Sequence, residues 1–169
     1  MADLPSLLLA SLNPDTRKQA EKNLTVLSSH QGFLTHLLNL ILEPSQDRAI
    51  RLAGSVYLKN ITKLRWEEVS LMFCYSSLLS SKRSIKDIQP LANEDKVALR
   101  AQLVPAMLAL SAPADKAIRA QVAESVALIA ELDFPNKWDN LIDVRYYSFF
   151  QDLNQSRYHI ATSLVPLSD

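Results

Sequence analysis

Glycine is nearly missing from this 169-residue chain: only Gly32 and Gly54 occur. Tight turns, β-bulges and phosphate-cradling loops all lean on glycine's backbone freedom. The scarcity excludes nucleotide-binding loops of the G-x-x-x-x-G-K and G-x-G-x-x-G kinds, and no G-x-S-x-G nucleophile elbow can be written. It favours helices. Cysteine is rarer still. Cys74 stands alone, so no internal disulfide can form and a reducing compartment is the simplest setting. His30, His36 and His159 have no partners at metal-ligand spacing, so no metal site is expected. Net charge is lacking too: eighteen Lys and Arg balance eighteen Asp and Glu. No global field is left to recruit nucleic acid or an anionic membrane. The longest apolar stretch, near 69–79, carries serines and is too short to span a bilayer. Asp3 stands where a secretory signal would begin with basic residues. These absences predict a soluble, non-enzymatic protein with no cofactor, no nucleic-acid partner and no membrane insertion.

What is present is apolar patterning. Hydrophobic residues make up 48% of the chain, enough to fill the core of a single domain. Apolar positions and breaks predict seven helices: 3–12, 15 or 16 to 28, Phe33–Leu42, 47–64, 93–110, 114–132 and 136–142. Pro14, Gly32, Pro44 and Pro113 mark the breaks. In the fourth helix Ile50, Ala53, Tyr57, Ile61 and Leu64 fall at helical spacing. Gly54 inside it costs about 1 kcal/mol against alanine, which predicts a neighbouring helix packed closely there. In the fifth, Val97, Val104, Met107 and Leu108 are the core candidates, and Pro105 should kink it. In the sixth, Ile118, Val122, Val126, Ile129 and Leu132 fall on one face.

Helices of this length joined by short polar breaks predict an all-α fold of stacked antiparallel hairpins, a HEAT-like superhelix. The expected pairs are helices two with three, four with five, and six with seven. Their first members start near 15, 47 and 115, so the spacing is uneven. If 69–86 is an insertion, the second spacing comes close to the unit of a HEAT-type repeat, about 40 to 47 residues. The segment VSLMFCYSSLLSSKRSIK (69–86) is serine-rich and has no consistent period.

Two motifs then carry a resemblance. RLAGSVYLKNITKLRW (51–66), with EKNL (21–24) and GFL (32–34) before it, is similar to the importin-β N-terminal domain. With ELDFPNKWDNLI (131–142) the chain resembles the CAS-type exportins, which return importin-α to the cytoplasm. The likeness covers about 1–68 and 87–143. It implies a domain at 1–143 interrupted by the non-family segment 69–86, with a non-family tail at 144–169. It also implies a receptor that shuttles between nucleus and cytoplasm and is found at the nuclear envelope. Its first repeats would hold a Ran-type GTPase in its GTP form, with importin-α-like cargo gripped by the full arch. Phe33–Leu42 and 93–110 would be the inner helices. Both non-family segments start with valine, Val69 and Val144. Valine codons begin GT, as introns do, and Lys86 can end in AG, so both segments are expected to be translated introns.

The motif residues divide by role. Arg51, Leu52, Ala53, Gly54, Trp66, Asp133, Phe134, Pro135 and Trp138 are expected to be structural. Trp66 would cap the stripe of helix four; Phe134 and Trp138 would anchor the turn after helix six, with Pro135 at a helix start. Lys59, Asn60 and Lys63 are the candidate partner contacts, being polar and flanked by core positions. Two bland readings stand beside that one. Lys59, Lys63 and Arg65 can be plain solvated decoration, and Asn60 can bond a neighbouring helix. A second function fits the same pattern: a free-standing α-helical adaptor or chaperone-like scaffold that binds peptides in a groove. Its last repeat would be closed by the tail aromatics Tyr146, Tyr147, Phe149 and Phe150.

Overall fold

The computed structural model describes residues 3–66 and 90–142. Six α-helices are found there: α1 Leu4–Ala10, α2 Arg17–Leu27, α3 Phe33–Leu42, α4 Arg48–Arg65, α5 Asn93–Ala109 and α6 Lys116–Asp133, with a 3-10 turn at Pro113–Asp115 before α6. No strand occurs among the described residues. The expected segments 69–86 and 144–169, with Cys74, His159 and the tail aromatics, lie outside the described residues.

Local chemistry sets the helix ends. Asp47 caps α4 by accepting the Ala49 N–H at 2.6 Å, which satisfies a donor that the first turn leaves unpaired. Lys63 and Arg65 sit in its last turn, where cations oppose the helix dipole. Gly32 opens α3 at φ +82°, a left-handed conformation that a side chain would strain. Its N–H donates to Asp95 Oδ1 at 2.8 Å, joining the start of α3 to the start of α5. Pro105 lies within α5, which continues to Ala109. Both Pro105 and Ala101, whose carbonyl loses its donor, are exposed, so water can replace the missing bond.

The hairpins form one step out of phase with the expected pairing. α3 packs along α4 and α5 along α6, while α2 packs chiefly on α1. α4 lies against α6 and α3 against α5, which gives two layers of helices. Four contacts fix the α4–α6 register. Arg48 Nε donates to the Ala114 carbonyl at 3.2 Å, and Arg51 Nη1 pairs with Asp115 Oδ1 at 3.0 Å. Lys59 Nζ pairs with Glu124 Oε2 at 3.4 Å, and Trp66 Nε1 donates to Asp133 Oδ2 at 2.9 Å. The partners are 66, 64, 65 and 67 positions apart. A near-constant offset means that the two helices run parallel, one repeat after the next. The stacked-hairpin class therefore holds, with a clear stacking direction.

Where the chain crosses 67–89, its two ends meet: the Leu91 N–H donates to the Arg65 carbonyl at 3.2 Å. The offset of about 66 thus contains a stretch that leaves and returns at one point.

Several core expectations are corrected. Val97 is 58% exposed, Leu64 57% and Leu132 41%, while Leu99, Leu103 and Leu110 fill the α5 interface. α5 carries apolar residues on more than one face, and its packing on α3 and α6 selects the face with Leu99. The expected seventh helix at 136–142 is absent; residues 134–140 form turns and helix appears only at 141–142. The Asp133 carbonyl accepts the N–H groups of both Lys137 and Trp138, at 2.7 and 3.1 Å, which folds the chain back tightly.

Candidate functional site

The first motif lies on α4, and its inward residues build the junction of three helices. A Cβ added at Gly54 would stand 3.2 Å from Ile41 Cγ1 and 3.5 Å from both Leu37 Cδ1 and Leu8 Cδ1. Glycine thus lets α1 and α3 approach α4 closely, where a side chain would press on Ile41, in keeping with its place in the helix. Ala53 is buried and Leu52 half-buried beside it. Arg51 is buried. Its Nε donates to the Ile41 carbonyl at 2.8 Å, at the open end of α3, and its Nη1 reaches Asp115 in the next hairpin. The planar guanidinium serves two acceptors at once, which lysine cannot reproduce.

The second motif meets the first at the far end of α4. Trp66 is 3% exposed, and its indole N–H bonds the carboxylate of Asp133, itself 3% exposed. Arg100 Nη1 on α5 pairs with the same oxygen at 2.5 Å. The Arg100 guanidinium and the Lys96 ammonium also lie over the Trp66 ring, 5.9 and 6.0 Å from its centre, within cation–π range. One carboxylate therefore ties α4, α5 and the end of α6. Trp138 is 2% exposed and lies in the hydrophobic core. Phe134 is not the anchor expected: it is 41% exposed, because the turn after Asp133 swings it outward. Pro135, joined to it by a cis peptide bond, stands in that turn and starts no helix.

The three candidate contacts share the outer side of α4. Asn60 and Lys63 are exposed and Lys59 half-buried. The Asn60 side chain makes no hydrogen bond among the described residues, so the inter-helix bond considered for it is not formed. Lys59 is held by Glu124 of α6, an exposed pair worth at most about 1 kcal/mol. These residues lie in the α4/α6 layer, whereas the helices expected to be inner, α3 and α5, form the other layer. One wall cannot be both.

Deeper in, Arg65 Nη1 donates to the buried Ser28 hydroxyl oxygen at 2.6 Å, and Tyr57 stands edge-on to Phe33 with ring centres 6.1 Å apart. Burial pushes the Tyr57 phenol above its usual range, against a smaller opposing effect of its bond with Ser28. Burial likewise lowers the Arg65 guanidinium below its ordinary value. These are packing polar groups on the α2–α4 side.

Asp95, Arg100, Asp115 and Glu124 were not singled out from the sequence; Asp95, Asp115 and Glu124 bond across repeats, and Arg100 bonds Asp133 within its hairpin while lying over the Trp66 ring. Charged residues on helices are usually solvated, and no spacing within one helix marks a partner on another. No group of three or more His, Cys, Asp or Glu that could hold a metal occurs among the described residues. No described helix is long and apolar enough to cross a membrane. What this arrangement offers is a wall of two parallel helices with polar residues facing out.

Comparison with known proteins places that wall. Residues 20–109 match the family model of the importin-beta N-terminal domain. The chain is 32% identical over 143 residues to the importin-alpha re-exporter of Schizosaccharomyces pombe, which covers 84% of this chain and 13% of that protein. It is also 32% identical over 141 residues to exportin-2 of Homo sapiens, covering 82% of this chain and 12% of that protein. The solved structure of the exportin Cse1 in its cargo-free, cytoplasmic state matches 83% of this chain and 13% of that one, with 26% identity and a TM-score of 0.63. This chain spans about an eighth of the length of these relatives.

Proposed function

Given that the chain belongs to the importin-β N-terminal domain family and so to the nuclear transport receptors, we propose that it binds a Ran-type GTPase in its GTP form. In a full-length receptor these repeats would take part in the nuclear export of importin-α, shuttling between nucleus and cytoplasm and passing the nuclear envelope. The relatives' names, importin-alpha re-exporter and exportin-2, support the cargo class. The observation that carries the reading is the parallel α4/α6 register. It builds an extended wall from successive repeats rather than a closed bundle.

We place the GTPase on the α4/α6 layer rather than on α3/α5, with Lys59, Asn60 and Lys63 as contacts. Two 18-residue helices in constant register present a longer wall than α3 with its 10 residues. The mechanism is coupled binding: GTPase and cargo each strengthen the other's hold by the same free energy, typically about 1–3 kcal/mol. No bond is made or broken in this chain's task. Cargo needs the long arch of a whole receptor, so these repeats alone should bind the GTPase weakly and export nothing. Titrating the purified chain with the GTP-analogue and GDP forms of the GTPase tests this. Preference for the GTP form supports the reading, and equal affinity for the two refutes it.

A further inference from the structure

Asp133 has no part in the partner-facing set, yet it receives more interactions across elements than its place at the end of a helix requires. Its carboxylate takes the Trp66 indole N–H from α4 and the Arg100 guanidinium from α5. Its carbonyl takes the N–H groups of Lys137 and Trp138. It is 3% exposed, where a carboxylate stripped of partners is strongly disfavoured. Along α4 and α6 the other inter-helix ties lie near the start, at Arg48 and Arg51, or are the solvent-facing Lys59–Glu124 pair. The far end of the wall is therefore pinned by Asp133 beyond Lys63, only three residues before Trp66. The pin stands beside the Arg65–Leu91 bond, where the chain leaves and re-enters.

The geometry points to Asp133 as a positioning residue: through Trp66 it fixes the angle at which α4 presents Lys59, Asn60 and Lys63 beside α6. It touches no partner itself. This role rests on the proposed GTPase reading. Asp133→Asn keeps the shape and one acceptor but removes the charge that holds Arg100; Trp66→Phe keeps an aromatic ring but removes the N–H together with part of the buried indole. Each should lower affinity for the GTP-analogue form about fivefold, as for positions that bias a packed network remotely. Far-UV circular dichroism should stay at the wild-type level. Hydrogen exchange should show protection lost at the Trp66 and Trp138 amides and kept in α3.

Failures separate cleanly. Wild type that does not distinguish the nucleotide forms defeats the GTPase reading before any variant is made. Wild type that prefers the GTP form, with both variants equal to it in affinity, overturns the positioning role. So does unchanged protection at Trp66 and Trp138. Should Asp133→Asn fail to fold, Trp66→Phe decides alone: a fivefold loss supports the role and wild-type affinity overturns it.

Discussion

Replacing Arg51 by alanine should uncouple the two hairpins. Arg51 bonds the Ile41 carbonyl at the end of α3 and Asp115 before α6, so it belongs to the interface between successive repeats. Removing one partner of a buried ion pair costs about 3–5 kcal/mol. The lower end applies, because the Asp115 side chain is 15% exposed and regains some water; the estimate is about 3 kcal/mol. With a urea slope of about 2 kcal/mol/M, the midpoint falls by roughly 1.5 M. Arg51→Lys keeps the charge but cannot fork to both acceptors, so about half that loss is expected. In a stacked array, stability sums repeat and interface contributions, so Arg51→Ala should also broaden the transition as the hairpins melt separately. Urea unfolding followed by circular dichroism reads both effects. A double-mutant cycle with Asp115→Asn should give a coupling above about 1 kcal/mol. A loss under about 0.5 kcal/mol with an unchanged slope, as for an ordinary surface substitution, would refute the reasoning and make Arg51 a candidate contact instead.

Two further outcomes follow from the packing. Gly54→Val puts a branched side chain where even a Cβ meets Ile41 at 3.2 Å; overpacking of this kind costs about 1–3 kcal/mol, and a thermal midpoint at or above wild type would count against the close approach. Deleting 69–86 should leave the fold intact, since the Leu91 N–H already bonds the Arg65 carbonyl. Shortening the chain between Trp66 and Leu91 from 24 to 6 residues is two halvings, worth about 1.2 kcal/mol of closure entropy. The deletion variant should therefore melt somewhat higher. A fall in helicity or midpoint would show that the segment belongs to the fold. Sequencing the mature transcript tests whether the segment is a translated intron, and spliced messages that still encode it exclude that origin.

Helix positions were legible because glycine is scarce and Pro14, Pro44 and Pro113 fall at breaks, and all six described α-helices begin within two residues of where the pattern puts them. Gly54 was legible too, as a glycine that only close packing justifies in mid-helix. The helical phase of α5 was not. Val97 and Leu99 are both apolar, and only the neighbours α3 and α6 decide which turns inward. Trp138 and Phe134 look alike in the motif, yet one is buried and the other 41% exposed; the difference comes from two bonds to the Asp133 carbonyl that no composition records.

The pairing error has the largest consequence for function. Grouping two with three and four with five puts α3 and α5 on the inside, apart from the candidate contacts on α4. The observed pairs, α3 with α4 and α5 with α6, bring the contacts and the α6 face into one layer. They also explain why two motifs nearly seventy residues apart occur together. Arg51 and Trp66 belong to the first, Asp115 stands just before α6, and Asp133 of the second closes α6. The first motif thus holds both ends of α6, through Arg51 at its start and through Trp66 and the second motif's Asp133 at its end. These residues therefore report how repeats are stacked, whereas Asn60 and Lys63, exposed on α4, are left to report what the wall holds, with Lys59 beside them paired to Glu124. Substituting Lys63, exposed and remote from every inter-helix tie but the last, should change partner affinity while leaving stability within about 0.5 kcal/mol of wild type; a larger loss of stability would move it from the contact face into the frame.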